Sequence, residues 1–472
     1  MTRFFVRTFG CQMNEHDSER IGRLLRGRGM DPVSSEAEAD VVVFNTCTIR
    51  ANADERFLAH VNGLKARKRA DPGLRIVVAG CLAQAEKEHL FEVAPHVDVV
   101  IGTQALARLG ELLEETAEGG RAIEVGVAPA EPFELVPDAP VAHKAFVTIQ
   151  TGCDNHCAFC VVPSVRGREA SRPVEEILAE VGALAERGVT EVTLLGQNVN
   201  SYGRDLVLAA RRAELARQGD TVRLPRVRPL FAELLARVGA VEGVRRVRFT
   251  SPHPKDMREE TFQAMAETEA VCESLHFPLQ SGSDRVLAAM HRGYTAERFL
   301  ARLARAREVV PDLAVTTDVI VGFPGETEED FEATLEVVAA AEFDSAFTFL
   351  YSPRPGTEAA AWVERYVPDR VAHRRFDRLV EVVERSARTK HEARIGRVEE
   401  VLFDGPSKRD PSVASGRTRQ HKLVHVAGVD PIVRAGGYAT VEITGASAHY
   451  LRGRLIEVLS VPTRARAVPA GR

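Results

Sequence analysis

The chain has 472 residues with a formal net charge of -5, and 44% of them are hydrophobic. Its mean hydropathy of -0.14, the lack of an apolar run of about 18 residues and a start, MTRFFVRTFG, without the apolar stretch of a signal peptide speak against a membrane-embedded or secreted protein. A cytoplasmic protein with reduced thiols is expected, so clustered cysteines among its seven read as metal ligands or redox groups before disulfides.

From residue 1 to about 125, TRFFVRTF, ADVVVFNT and LRIVVAG predict strands, with helices at SERIGRLLRGRG and ERFLAHVNGLKARKR between them. This βαβαβ order predicts a doubly wound parallel sheet. Proline and acidic residues in APAEPFELVPDAP predict a linker over 126–142. Between 143 and 368 the alternation resumes with strands at KAFVTIQ, EVTLLG, RRVRFTS, SLHFPLQ, LAVTTDVIVG and SAFTFLY, and amphipathic helices between them. Six βα units predict a curved parallel sheet, a partial or full α/β barrel. The charged piece from Arg204 to about Arg228 lacks a strand signal and reads as an insertion after the second strand. A helical connector is expected over 369–390. Beyond it, the short, glycine-punctuated strands RVEEVLFDG, LVHVAG and YATVEITGASAHYLRGRLIEVLS predict a small all-β barrel over 391–460, followed by a tail over 461–472.

The charge is uneven along the chain. Residues 391–472 carry 13 Lys and Arg against 8 Asp and Glu, while the preceding residues are net acidic. A basic tail suits nucleic acid, and equally a solvated basic face.

Cys153, Cys157 and Cys160 lie within TGCDNHCAFC, just after the strand AFVTIQT and therefore at the C-terminal mouth of the expected barrel. A structural zinc site or an electron-transfer [4Fe-4S] cluster takes four protein ligands, and no fourth cysteine lies within reach in sequence. Three thiolates on a cubane leave one iron open for a substrate or cofactor; another metal use is the alternative. Cys11, Cys47 and Cys81, spaced 36 and 34 residues apart, each follow a predicted strand by one or two residues. In a parallel sheet the C-terminal strand ends share one edge, so these three are expected to converge on a second three-cysteine cluster. For any one of them alone, a buried structural cysteine is the simpler assignment. Cys272 has no such partner and reads as core.

The CxxxCxxC motif after the first strand of a six-unit barrel resembles the radical S-adenosylmethionine enzymes. The resemblance implies an open iron that chelates the amino and carboxylate groups of S-adenosylmethionine, and a one-electron cleavage to a 5'-deoxyadenosyl radical. Phe159 matches the aromatic usual before the last ligand, which implies a shield for the cluster. The phrases FVRTFGCQMNEHDSE, NTCTIR, VAGCLAQ, LLGQNVNSYG, HFPLQSGSDRVLAAMHRGYT, DVIVGFPGETEEDF and FLYSPRPGTEAA resemble the methylthiotransferases, in the branch that modifies tRNA. GRTRQHKLVHV lies in what resembles a TRAM domain, an RNA-binding β-barrel. The resemblance thus implies an N-terminal methylthiotransferase domain, a central radical-SAM (βα)6 partial barrel and a C-terminal TRAM-like barrel.

The activity so implied is transfer of a methylthio group to C2 of N6-isopentenyladenosine next to the anticodon of tRNA, with S-adenosylmethionine as both methyl donor and radical source. An aromatic C2–H bond is too strong and too weakly acidic for acid–base chemistry, which is why a radical is needed. Two [4Fe-4S] clusters, S-adenosylmethionine, tRNA and a flavodoxin-like or ferredoxin-like one-electron reductant are the implied cofactors and partners, with the sulfur source left open and no membrane. Candidate S-adenosylmethionine contacts are Gln197, Asn198, Ser251, His253, Gln280, Ser281 and Ser283, joined by Asp318, Ile320, Gly322 and Glu326 on the strand that resembles the family's adenine-contacting one. A turn or capping role is the alternative for each. Arg166 and Arg168 are placed to approach phosphate or the sulfonium-bearing ligand, or simply solvent. Lys408, Arg409, Arg417, Arg419, Lys422, Arg452 and Arg454 are the candidate phosphate contacts, with the adenosine flipped toward the barrel mouth. Methylthiolation of another tRNA adenosine derivative or of a ribosomal protein side chain is the nearest alternative. A non-catalytic iron–sulfur RNA-binding protein is a more distant one.

Overall fold

A computed structural model describes residues 2–48, 51–126, 143–218, 227–428 and 433–461. Within it the chain forms two compact units, one built from residues 1–139, 151–170 and 352–357 and the other from residues 140–150, 171–351 and 358–472. Apart from Gly126 and Val461, the linker expected over 126–142 and the tail over 461–472 lie outside the described residues.

The first unit is built on a six-stranded parallel sheet. Its strands run Asp31–Pro32, Arg3–Phe9, Val41–Thr46, Arg75–Gly80, Val99–Ile101 and Ala122–Glu124 in spatial order. Alternating side chains feed two cores on opposite faces: Val42, Phe44, Ile76 and Val78 pack with Phe57 on one, and Val41, Val43 and Val77 with Ile21, Leu25 and Leu109 on the other. Burial on both faces is why these strands read as unbroken apolar runs. The two- and three-residue edge strands are too short to leave a periodic signal, and sequence reasoning missed them. Strand order reverses between Arg3–Phe9 and Val41–Thr46, the switch point where open sheets of this kind bind ligands at the C-terminal strand ends.

In the second unit six parallel strands, Lys144–Thr148, Glu191–Leu195, Arg246–Phe249, Ser274–His276, Ala314–Val321 and Ser345–Leu350, form two three-stranded sheets. Val247 joins the halves by accepting from the Cys272 amide at 3.0 Å and donating to Ala270 at 2.7 Å. The result is an open (βα)6 partial barrel. Val147, Val192, Leu194, Val247, Leu275 and Val315 pack outward onto helices through Ile177, Leu235, Phe262 and Phe299. The alternate residues line the other face, where register sets Phe146 beside Thr193, Thr193 beside Arg248, His276 beside Thr316 and Asp318 beside Phe347. Residues expected to form an insertion after the second strand carry the helix Arg204–Gln218.

The helix Asp369–Glu392 leads into a closed five-stranded barrel of Val398–Pro406, Val413–Thr418, Leu423–Ala427, Tyr438–Ala446 and Leu451–Ser460. Its second strand escaped sequence reasoning because the buried positions are Ala414, Gly416 and Thr418, small residues with no hydrophobic signature.

This small barrel caps the N-terminal ends of the larger one. Arg246, fully buried, donates to the Arg417 carbonyl at 2.8 Å and to Glu400 Oε1 at 2.8 Å, and Arg248 donates to the carbonyls of Thr418 at 3.0 Å and Arg419 at 2.8 Å. Asp404 pairs with Lys144 at 2.6 Å, Arg419 with Glu273 at 2.8 Å, Gln420 with Asp312 at 3.0 Å and Lys422 with Asp344 at 2.5 Å. Tyr438 donates its hydroxyl to Thr190 Oγ1 at 3.0 Å, so each of the six strands meets the cap within two residues of its first residue.

The expected phosphate contacts divide accordingly. Lys422 is 5% exposed and Arg419 is doubly bonded to Glu273, so both are engaged within the fold. Arg417 is half-buried and donates to the His421 carbonyl at 2.9 Å. Lys408, Arg409 and Arg452 are exposed, as is Arg454 beside Glu442. Replacing Lys422 by Ala strands the Asp344 carboxylate and is expected to cost about 3–5 kcal/mol, against less than about 0.5 kcal/mol for Arg409→Ala; urea unfolding of the two variants checks the contrast.

Candidate active site

The three N-terminal cysteines are brought together by register. Phe9 pairs with Thr46 and Thr46 with Gly80, so the three strands end level, and Cys47 and Cys81 follow one residue later and Cys11 two. Cys47 extends the ladder by donating its amide to the Phe9 carbonyl at 2.9 Å. Cys11 is the N-cap of the helix Gln12–Gly27, whose dipole favours a thiolate there.

Around them lies a buried amide network that sequence reasoning missed. Asn14 donates to Asn45 Oδ1 and the Thr46 carbonyl, both at 3.2 Å, and receives the Cys11 thiol hydrogen bond at 3.3 Å. Asn45 donates back to the Asn14 carbonyl at 2.8 Å and to Ser18 Oγ at 2.9 Å. Both asparagines are wholly buried. The only signal was their place in NEHDS and FNTC, polar residues beside apolar runs. Gly10, at φ +143°, leaves no room for a side chain: a Cβ there would sit 2.4 Å from that of Cys47. A hydrogen bond with Cys47, opposed by burial and assisted by the positive charge of Arg166, pulls the Cys11 thiol down to about 6. Burial pushes the Cys81 thiol up, against the pull of the same arginine.

Cys153, Cys157 and Cys160 belong to the same unit. Their loop is closed at its base by the Cys153 amide donating to the Gly167 carbonyl at 3.2 Å, and turned at its tip by Cys160 N–H to the Cys157 carbonyl at 3.0 Å. Gly152 is required at φ +73°, since a Cβ would lie 2.0 Å from the Arg168 carbonyl oxygen. The Asn155 amide donates to Cys153 Sγ at 3.4 Å, and Phe159 is half-buried. Arg168 is 93% exposed beside Asp154, whereas Arg166 is buried: its Nε donates to Cys81 Sγ at 3.2 Å and its Nη2 to Asp17 at 2.8 Å. Cys272 is buried in the second unit, as expected of a core residue.

In the partial barrel the expected cofactor contacts separate into engaged and open groups. Ser283 caps the helix Asp284–Ala289 and donates to Asp330 at 2.6 Å, and Ser281 bonds Thr334 at 3.2 Å. His253 accepts from the Lys255 amide at 3.2 Å and is held neutral by burial and nearby Arg292. Glu326 accepts from the Gly322 amide at 3.1 Å and from Arg375 at 2.8 Å, while burial raises its carboxyl. Asp318 accepts from His276 at 3.2 Å, and Ile320 lies beside Phe349. Gln280 and Ser251 adopt left-handed backbone at φ 70° and φ 58°. By contrast, Oε1 and Nε2 of Gln197, Oδ1 of Asn198 and Oε1 of Gln150 are buried with no hydrogen-bond partner. Gln150, which ends the strand phrase KAFVTIQ, was not among the expected contacts. Orphaned polar atoms at two neighbouring strand ends are costly unless a polar ligand meets them.

Residues 147–338 match the radical SAM superfamily, residues 392–456 the TRAM domain, and residues 3–102 the uncharacterized protein family UPF0004. The tRNA-2-methylthio-N(6)-dimethylallyladenosine synthase of Mycobacterium sp. (strain MCS) is 47% identical over 463 residues, covering 94% of this chain and 87% of that protein. That of Mycolicibacterium vanbaalenii is 48% identical over 456 residues, covering 95% and 86%. The chain belongs to this synthase family. A solved radical S-adenosylmethionine methyltransferase, TsrM from Kitasatospora setae, shares the fold at a TM-score of 0.51 and 15% identity over 76% of this chain and 75% of its own.

Membership of the synthase family and the radical SAM match imply a [4Fe-4S] cluster and S-adenosylmethionine. The donors present fit both. Cys153, Cys157 and Cys160 would hold three irons of such a cluster and leave the fourth open, and the unpartnered atoms of Gln150, Gln197 and Asn198 are suited to polar groups of a cofactor. Among the described residues no three His, Cys, Asp or Glu side chains are grouped closely enough to hold a metal ion. No described helix is long and apolar enough to cross a membrane. In the iron-free protein Cys11 is expected to be alkylated by iodoacetamide at a rate that rises through about pH 6 and levels off by neutrality, while buried Cys81 and Cys272 stay unmodified; peptide mass mapping across pH checks this.

Proposed function

We propose that the chain transfers a methylthio group to C2 of N6-isopentenyl (dimethylallyl) adenosine next to the anticodon of tRNA. The observation that carries this function is 47% identity, over 94% of the chain, to synthases named for that product. When bound, S-adenosylmethionine and the cluster supply a 5'-deoxyadenosyl radical, and a further S-adenosylmethionine supplies the methyl group. Cys153, Cys157 and Cys160 would hold the radical-generating cluster, and Cys11, Cys47 and Cys81 an auxiliary cluster that carries the sulfur to be transferred.

The rest of the work falls to the chain's own residues. Gln150, Gln197 and Asn198 orient the cofactor through their unpartnered atoms. Glu326, locked by Arg375 and the Gly322 amide, shapes the end of the strand expected to contact its adenine. Lys408, Arg409, Arg452 and Arg454 present exposed positive charge for phosphates, which positions an RNA without reading its bases. A one-electron reductant of the flavodoxin-like or ferredoxin-like class completes the reaction.

Anaerobic reconstitution with iron and sulfide, followed by dithionite, S-adenosylmethionine and tRNA bearing isopentenyladenosine, tests this function by nucleoside mass spectrometry. The methylthio nucleoside is expected from the native chain and absent from both Cys157→Ala and Cys47→Ala, with deoxyadenosine lost only in Cys157→Ala. Deoxyadenosine without modified nucleoside from the native chain would point to a different acceptor. For the RNA contacts, changing Lys408, Arg409 and Arg452 together to Ala is expected to weaken tRNA binding and flatten its log–log salt dependence by about 2–3 units, measured by filter binding across salt concentrations.

A further inference from the structure

We infer that Arg166 is the built-in counter-charge of the N-terminal cysteine trio, a positioning residue that sets the reduction potential of the cluster those cysteines hold. The inference rests on the proposed auxiliary cluster at Cys11, Cys47 and Cys81. It assigns a task to a residue that lies six positions after Cys160, on the segment that carries the other three thiols.

The geometry is specific. Arg166 is 6% exposed, and its guanidinium divides its bonds: Nε to Cys81 Sγ at 3.2 Å, Nη2 to Asp17 Oδ2 at 2.8 Å. An arginine serving only to tie two segments together does best with both arms on the carboxylate, the forked arrangement that matches its planar donors. Here one arm goes to sulfur. The segment is also fixed without that bond. Thr103 Oγ1 donates to the Val165 carbonyl and Gln104 Nε2 to the Arg166 carbonyl, both at 2.9 Å, and Val161 and Val165 pack on Cys81. These anchors place the guanidinium, and they leave its donors available for the thiolate. Burial works against its charge, and Cys81 and Asp17 oppose that effect and keep it protonated.

A cation that donates a hydrogen bond to a ligating sulfur stabilises the more negative, reduced form of a cluster and so raises its potential. Asp17 works in the opposite sense, since its negative charge offsets part of the arginine's. The pair acts as a balance, and each member is expected to move the potential in its own direction.

The experiment uses the full chain carrying Cys153→Ala, Cys157→Ala and Cys160→Ala, reconstituted anaerobically with iron and sulfide, so that only the N-terminal trio is able to bind a cluster. Iron is counted, and the midpoint potential is read by EPR-monitored reductive titration. About four irons per chain are expected. Adding Arg166→Gln is expected to shift the midpoint to a more negative potential, Asp17→Asn to a more positive one, and Arg166→Lys to a value between Arg166→Gln and the native residue. Opposed shifts are not what a general loosening of the site produces. Unchanged midpoints, or shifts of the same sign in Arg166→Gln and Asp17→Asn, would overturn the inference and leave the arginine a structural tie. Should Arg166→Gln retain no iron, the Asp17→Asn shift decides: positive supports the inference, zero or negative overturns it. A parent triple variant that binds no iron overturns the auxiliary cluster itself, and the inference with it.

Discussion

Level strand ends are the constraint on which the placement of the N-terminal cysteines depends. Parallel pairing of Phe9 with Thr46 and of Thr46 with Gly80 delivers three residues far apart in sequence to one sheet edge, within a residue of the same height. A slip of one residue in any of these strands would reverse which side chains face which core and carry its cysteine away from the other two. The register is held by apolar burial on both faces and, at the edge itself, by the mutual hydrogen bonds of Asn14 and Asn45. Gly10 permits the last approach, because any side chain there would occupy the place of Cys47.

Charge is the second constraint. Cys47 and Cys81 sit in a buried setting, where an isolated negative charge is expensive. The first unit meets that cost with a helix N-terminus behind Cys11 and a buried arginine on Cys81. The second unit solves a related problem at the opposite end of its strands. Lys144, Arg246, Glu273, Asp312 and Asp344 cluster at the strand starts of the partial barrel, and the small β-barrel answers them with carboxylates, cations, an amide and backbone carbonyls. The opposite, C-terminal strand ends carry the buried, unpartnered amide atoms of Gln150 and Gln197.

Much of this was legible in the primary structure because the informative signals are local. Strands buried on both faces read as apolar runs, CxxxCxxC is contiguous, and the glycine-punctuated C-terminal segment reads as a small barrel. Where the signal failed, the reason is physical. Val413–Thr418 buries alanine, glycine and threonine, so it shows no hydrophobic alternation. Lys422 and Arg419 belong to a basic phrase that suggests phosphate, yet their carboxylate partners, Asp344 and Glu273, lie 78 and 146 residues away. Polar residues after a strand serve equally as caps and as ligand contacts, and the bonds of Ser281 to Thr334 and of Ser283 to Asp330 are visible only in three dimensions.

The sequence by itself determined the order of the longer elements, the two sets of three cysteines and the lack of a fourth cysteine near either set, because hydrophobic period and motif spacing are properties of short stretches. Tertiary structure alone decided which charges stand opposite one another. Electrostatic and hydrogen-bond partners are chosen by proximity in space, and nothing in the spacing of Asp17, Cys81 and Arg166 along the chain foretells that one guanidinium touches both of the others.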